Sequence, residues 1–304
     1  MGSTLAELQR RTIESLDSRL EQIALLPSVI DRLAALDLDS PTATDQIVAL
    51  IRSDPPLALR LLRLANYRTS EGVGVDTIPG AIIEVGAHNL ANLILALSVV
   101  EVFIPHTRGQ RNLWIHSIQT AMAARRLAVL RPDFGLGMEQ CFLAGLLHDI
   151  GRFVIFQHRP EEMAQLDEAA VGDPRELVAA ELEVCGFDHA ALGYEVCRRW
   201  RLPEAVCEMV RAHHLYGEAR RRIPPEVAAL VRLVQEADCV SFGLLRNRTS
   251  SFPSGEERNR SIAASLHPLV ASERILPAAK LAEELVNIDR EARIGAAVIH
   301  MAYS

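Results

Sequence analysis

In the run CFLAGLLHDIGRFVIF, Cys141 to Phe156, two adjacent polar residues, His148 and Asp149, interrupt a segment that is otherwise almost wholly apolar. A segment of this kind belongs in the interior as a helix. An ionised carboxylate carried inside with it costs several kcal/mol or more unless it is paired. Any fold open to this chain must therefore bring partners for Asp149 into the same interior from elsewhere in the sequence.

The rest of the chain repeats its apolar residues at helical spacing. The pattern predicts helices over 5–23, 42–52, 56–66, 87–103, 112–130, 138–157, 175–185, 189–200, 203–213 and 225–242, and no comparable run alternates with the period of a strand. The expected class is all-α. Start and stop signals agree: DSPTATDQ offers capping side chains ahead of an apolar run, and the prolines of DPP after Asp54 stand where a first helical turn tolerates them. The glycine-containing loop at 69–80 and the break at 104–111 suggest subdivision, and 246–260 is polar. We expect an N-terminal helical subdomain over 1–107, a second helical subdomain over 108–245, and a loop with a helical tail over 246–304.

With about half of its 304 residues apolar and an ordinary share of charged ones, the chain is globular in composition rather than disordered. Its N-terminus lacks an apolar signal region, and no run reaches the roughly 18 apolar residues of a membrane span, so the expected setting is cytoplasmic, with no membrane partner. The formal net charge of −7 argues against a broad phosphate-binding surface and hence against direct nucleic-acid binding. Arg220, Arg221 and Arg222 form a local basic cluster, read as a solvated loop. The five cysteines include no C-x-x-C pair and sit mostly in apolar runs, as buried reduced thiols do.

The polar groups that might meet Asp149 are few. His116 lies within LWIHSIQTA, His189 in FDHAALG, His213 and His214 in RAHHLYG, and Asp238 in LVQEADCV. His88, His106, His158, His267 and His300 have ordinary core or surface readings. Adjacent helical residues diverge by about 100°, so His148 and Asp149 cannot share one contact, but they can flank two neighbouring ions with the carboxylate between them. Imidazole and carboxylate together suit iron, manganese or zinc, and the absence of cysteine from the set argues against a thiolate zinc site. H-E-x-x-H, a glycine-rich phosphate loop and G-x-S-x-G are all missing, which removes zincin, nucleotide-triphosphatase and serine-esterase chemistry.

The order His116, His148–Asp149, Asp238 resembles the metal signature of the HD superfamily of phosphohydrolases. More closely, the blocks LLPSVIDRLAAL, IRSDPPLALRLLRLANY, IPGAIIEVGAHNLANLILALSV, LWIHSIQTAMAARRLA, FLAGLLHDIGRFVIF and ELEVCGFDHAALGYEVCRRWRLPEAVCEMVRAHH resemble, in order, HDOD proteins, the HD-related output domains of bacterial signalling. The resemblance implies a divalent-metal centre, with iron, manganese or zinc and room for two ions, held by His116, His148, Asp149, His189, His213, His214 and Asp238. His189, His213 and His214 fall where HD-GYP phosphodiesterases add ligands. The chain departs from that active pattern at Arg152, where those relatives carry lysine, and in HHLYGEARRRIPPE, where they carry a G-Y-P motif. Asn112 stands where some relatives place an acidic ligand.

Two functions follow from the resemblance. One is a signalling module with protein partners and a regulatory role. The other is a metal-dependent phosphohydrolase or phosphodiesterase acting on a cyclic dinucleotide or another nucleotide ligand, with Asp149 and Arg152 as candidate catalytic residues and two metals activating water.

Overall fold

Helix is the recurring element of the computed structural model, which describes residues 9, 13, 40, 42–52, 103, 106–168, 174–200, 202–246, 254–264 and 275–303. No strand occurs among the described residues, so the all-α expectation holds. The helices are α1 (Ala43–Arg52), α2 (Arg108–Leu130), α3 (Met138–Leu147), α4 (Ile150–His158), α5 (Pro160–Glu168), α6 (Pro174–Cys185), α7 (His189–Arg199), α8 (Glu204–Ala212), α9 (Ala228–Arg246), α10 (Gly255–Ala264) and α11 (Ala278–Tyr303). None is long and apolar enough to cross a membrane, among the described residues. The helices expected over 56–66 and 87–103, and most of that over 5–23, lie outside them.

Two compact units divide the chain: residues 1–23 with 107–292, and residues 24–106 with 293–304. In the second, Ile47 and Ile51 sit one turn apart on α1 and are fully buried. In the first, Thr107 opens α2 with a capping box: its hydroxyl accepts from the Gln110 backbone N–H, and the Gln110 side chain accepts from the Thr107 N–H. Helix α2 packs chiefly against α3 and α9, while α4 packs against α7, and α7 against α8. Leu113, Trp114, Ile118, Ala121, Leu127, Phe142, Leu146, Leu147, Val231, Val234 and Ala237 fill the interior between them.

One helix expected over 138–157 is in fact two. Helix α3 ends at Leu147, α4 begins at Ile150, and Asp149 between them adopts φ −99°, ψ 16°. Glycines on either side show why. A Cβ on Gly145 would lie 2.8 Å from the Ala121 Cα of α2, and one on Gly151 would lie 2.0 Å from the His189 carbonyl oxygen of α7. These bare backbones let α3 close onto α2 and α4 onto α7, and the bend at His148–Asp149 serves both contacts.

The segment after residue 245 is integrated with the first unit up to residue 292. Leu281, Leu285 and Ile288, on one face of α11, are fully buried. The basic cluster at Arg220–Arg222 lies in a 3-10 turn, Gly217–Arg222; Arg221 and Arg222 are exposed as expected of a solvated segment, whereas Arg220 is half-buried and donates to the Gln235 side chain at 2.8 Å. All five cysteines are free thiols; Cys239 is half-buried and the others buried.

Candidate metal centre

The seven residues expected to act together are brought together. They form two groups, Asp149 with His189, His213 and His214, and His116 with His148 and Asp238; within each group the ligand atoms lie within 4.8 Å of one another. His116 comes from α2, His148 and Asp149 from the α3–α4 bend, His189 from the first turn of α7, His213 and His214 from the end of α8, and Asp238 from α9. Asp149 joins the groups. Its Oδ2 lies 3.6 Å from His148 Nε2 and 3.7 Å from His116 Nε2, whereas its Oδ1 lies 3.2 Å from His189 Nε2 and 3.8 Å from His213 Nε2. Asp238 Oδ1 stands 3.1 Å from His116 Nε2 and 3.8 Å from His148 Nε2.

The rings are oriented from behind. His148 Nδ1–H donates to the Gly145 carbonyl at 2.8 Å and His213 Nδ1–H to the Val210 carbonyl at 2.6 Å. A carbonyl only accepts, so in the neutral rings the proton is on Nδ1 and Nε2 presents a lone pair to the centre. His116 Nδ1 pairs with the Ser241 hydroxyl at 3.0 Å. His189 is held by Glu181, whose Oε2 accepts both the His189 backbone N–H at 2.9 Å and Nδ1–H at 2.5 Å. Gln235 ties down the paired histidines by donating to the backbone carbonyls of His213 and Leu215.

Protons alone do not satisfy this geometry. His189 Nε2 lies within 3.2 Å of Asp149 Oδ1, His213 Nε2 and His214 Nε2. It offers at most one proton, while Asp149 and His213 both require a donor. A divalent cation between these atoms meets all of the lone pairs at once, so the donor set fits a metal of the iron, manganese or zinc group.

The two carboxylates supply the negative charge that a cation site needs. Burial opposes ionisation of Asp149, yet the surrounding imidazoles His148, His189 and His213 hold its carboxyl well below the usual range. Burial likewise opposes ionisation of Asp238, and the bond to His116 holds it down. Burial pushes His148 down to about 4, and with the help of neighbouring His213 and His189 pushes His214 well below its ordinary value, leaving both neutral. Glu181 and Asp149 drive His189 up to about 10 against its burial, so without metal its Nε2 carries a proton that a cation binding there would have to displace.

Arg152, the other candidate, sits in the first turn of α4. Its Nη1 is 3.6 Å from Asp149 Oδ2 and its Nε 3.8 Å from Glu181 Oε1. Asn112, one turn before His116, is exposed. Sequence reading missed Glu181, Gln235, Ser241 and Glu236. Each lies in an ordinary amphipathic helix, and no spacing marks it; a buried acidic or polar residue becomes visible only when the helices are packed.

A model of the HDOD domain matches residues 23–216, well over half of the chain. The chain belongs to the HDOD family. Asp238 lies beyond the matched range. An uncharacterized protein of Treponema pallidum (strain Nichols) is 29% identical over 269 residues, which are 86% of this chain and 49% of that protein. The chain thus spans about half the length of this curated relative. Among solved structures, a candidate phosphohydrolase from Shewanella amazonensis superimposes with a TM-score of 0.69 at 22% identity, over 95% of this chain and 98% of the other. A candidate signal transduction protein from Marinobacter aquaeolei gives 0.69 at 18% identity, over 99% of this chain and 67% of the other. At such identities these structures share the HDOD fold with this chain.

Proposed function

We propose that this HDOD chain is a bacterial signal-transduction module whose helical bundle holds two divalent cations, drawn from iron, manganese and zinc, on His116, His148, Asp149, His189, His213, His214 and Asp238. The observation that carries the reading is the division of Asp149, one oxygen toward each histidine group. HDOD membership and the fold shared with a candidate signal transduction protein support a regulatory role, and we propose that it is exercised through protein partners in the cytoplasm.

Metal analysis of protein purified without oxygen is the test. Two ions per chain, falling to one or none in Asp149→Ala, is the expected result. Substoichiometric metal in both aerobic and anaerobic preparations would favour a site kept by hydrogen bonds alone.

One observation favours hydrolysis as a second reading: the Arg152 guanidinium, 18% exposed, stands beside Asp149 at the edge of the centre. When bound, paired divalent ions supply Lewis acidity toward a phosphate oxygen and lower the pKa of water. Arg152 would neutralise phosphate charge but has no proton to give at neutral pH, where a lysine has one. The structural likeness to a candidate phosphohydrolase is consistent with such an ancestry.

A further inference from the structure

Helix α9 carries Asp238 into the centre, and its other side is gripped by the C-terminal segment. Glu236, two residues from Asp238, points about 200° around the helix from it. It is 1% exposed, and its carboxylate accepts the backbone N–H of Ile275. The carbonyl of the same residue receives Arg131 Nη1 at 2.7 Å. Arg131 is the C-cap of α2, the helix that carries His116, and is itself fixed by a two-pronged bond to Asp133 and by stacking over Phe134. Ile275 therefore bridges the two helices that supply His116 and Asp238.

A second anchor lies further along. Arg126 of α2 donates through Nε and Nη2 to Glu284 of α11 at 2.7 Å, beside the buried face of Leu281, Leu285 and Ile288. Undocking this segment would remove a donor from a buried carboxylate, which costs more than the bond contributes in water. Docking and the position of α9 are thereby coupled.

Resting on the metal reading, we infer that the segment from Ile275 into α11 is a latch that sets the spacing of α2 and α9 and so controls cation loading of the His116–His148–Asp238 half of the centre. The other half takes His189, His213 and His214 from α7 and α8; α9 gives it no ligand and reaches it only from behind, through the Gln235 bonds to the His213 and Leu215 carbonyls. Metal–ligand distances in a well-formed site lie within about 0.2 Å of their usual values, so a small shift of α9 weakens one half.

The double variant Glu236→Met, Arg131→Met opens both grips while keeping apolar volume. In titration of the metal-free full chain with Mn²⁺, one of the two ions should bind about tenfold to a hundredfold more weakly, with the other weakened by a clearly smaller factor. Wild-type affinity for both ions, or equal weakening of both, overturns the latch. Glu284→Gln, which loosens only the second anchor, should weaken the same ion by a smaller factor; no change there while the double variant weakens both ions equally also counts against it. Hydrogen exchange of the metal-free chains provides a readout that needs no cation. Exchange around Asp238 should quicken in the double variant while α7 and α8 stay protected, and unchanged exchange refutes the latch. Should the wild type bind no metal, the reading of the centre fails while this measurement still decides the latch.

Discussion

At the scale of single residues, the centre is built by giving four of its five imidazoles, all but His214, one fixed partner behind and one nitrogen facing the centre. Carbonyls back His148 and His213, a hydroxyl backs His116, and a carboxylate backs His189. Asp149 alone serves both groups, so its loss should be felt by both. With Mn²⁺ at about a hundred times its dissociation constant, a bound ion stabilises the folded chain by about 2.7 kcal/mol. Thermal melts of Asp149→Ala should show almost none of this gain; equal shifts in both proteins would remove Asp149 from the site. Gly151 sets the approach on the other side. Gly151→Ala places a methyl 2.0 Å from the His189 carbonyl, against backbone that cannot swing aside. Urea unfolding should reveal a cost on the order of 1–3 kcal/mol or more, together with weaker metal binding. Gly255→Ala, with nothing within 4 Å of the new Cβ, should be close to neutral.

At the scale of elements, α9 is the member that ties the site to its surroundings. Along it, Gln235 holds the His213 carbonyl, Glu236 holds Ile275, Asp238 enters the centre, and Ser241 bonds to His116 through both its ring and its carbonyl. The docking of α11 onto α2 carries a pH signature. Burial raises the Glu284 carboxyl, but the bonds from Arg126, Asn287 and Lys280 outweigh it and hold the pKa below its ordinary 4.5. A carboxyl depressed in the folded state contributes stability above its unfolded pKa and loses it as pH falls through the folded one. Glu284→Gln should therefore be less stable than wild type at pH 7, by roughly 1 kcal/mol for a partly exposed pair. The gap should narrow as pH falls below about 4.5. Denaturation at a series of pH values checks it, and a gap independent of pH would assign the effect to packing.

At the scale of the whole molecule, the question is whether the bundle, once loaded with metal, turns over a phosphodiester. Arginine replaces the lysine of the HD-GYP pattern at 152, and the region after His214 turns into the 3-10 segment Gly217–Arg222 in place of a G-Y-P loop. We expect hydrolysis of cyclic di-GMP to be absent or far below about one turnover per second even with Mn²⁺ or Fe²⁺ bound. Product formation without oxygen, beside a His148→Ala control, is the measurement. Turnover near that rate that vanishes in the control would establish the enzyme reading. The screen should extend to nucleotides and guanosine polyphosphates, since a centre of this composition is not limited to one ester.

Periodicity and capping signals sufficed for the all-α class, because a helix is written in the spacing of its own residues. The ligand types were legible for the same reason: an aspartate inside CFLAGLLHDIGRFVIF demands partners, and the chain has few residues able to answer. Helix breaks and second partners were not legible. The bend at Asp149 follows from Gly145 and Gly151 closing on two different helices, and the role of Glu181 follows from α6 lying beside the start of α7. By itself the sequence determined which side chains bring charge and lone pairs into the interior. Only the tertiary structure decided which atoms face one another, because contacts between residues far apart in the chain depend on packing distances that no local pattern encodes.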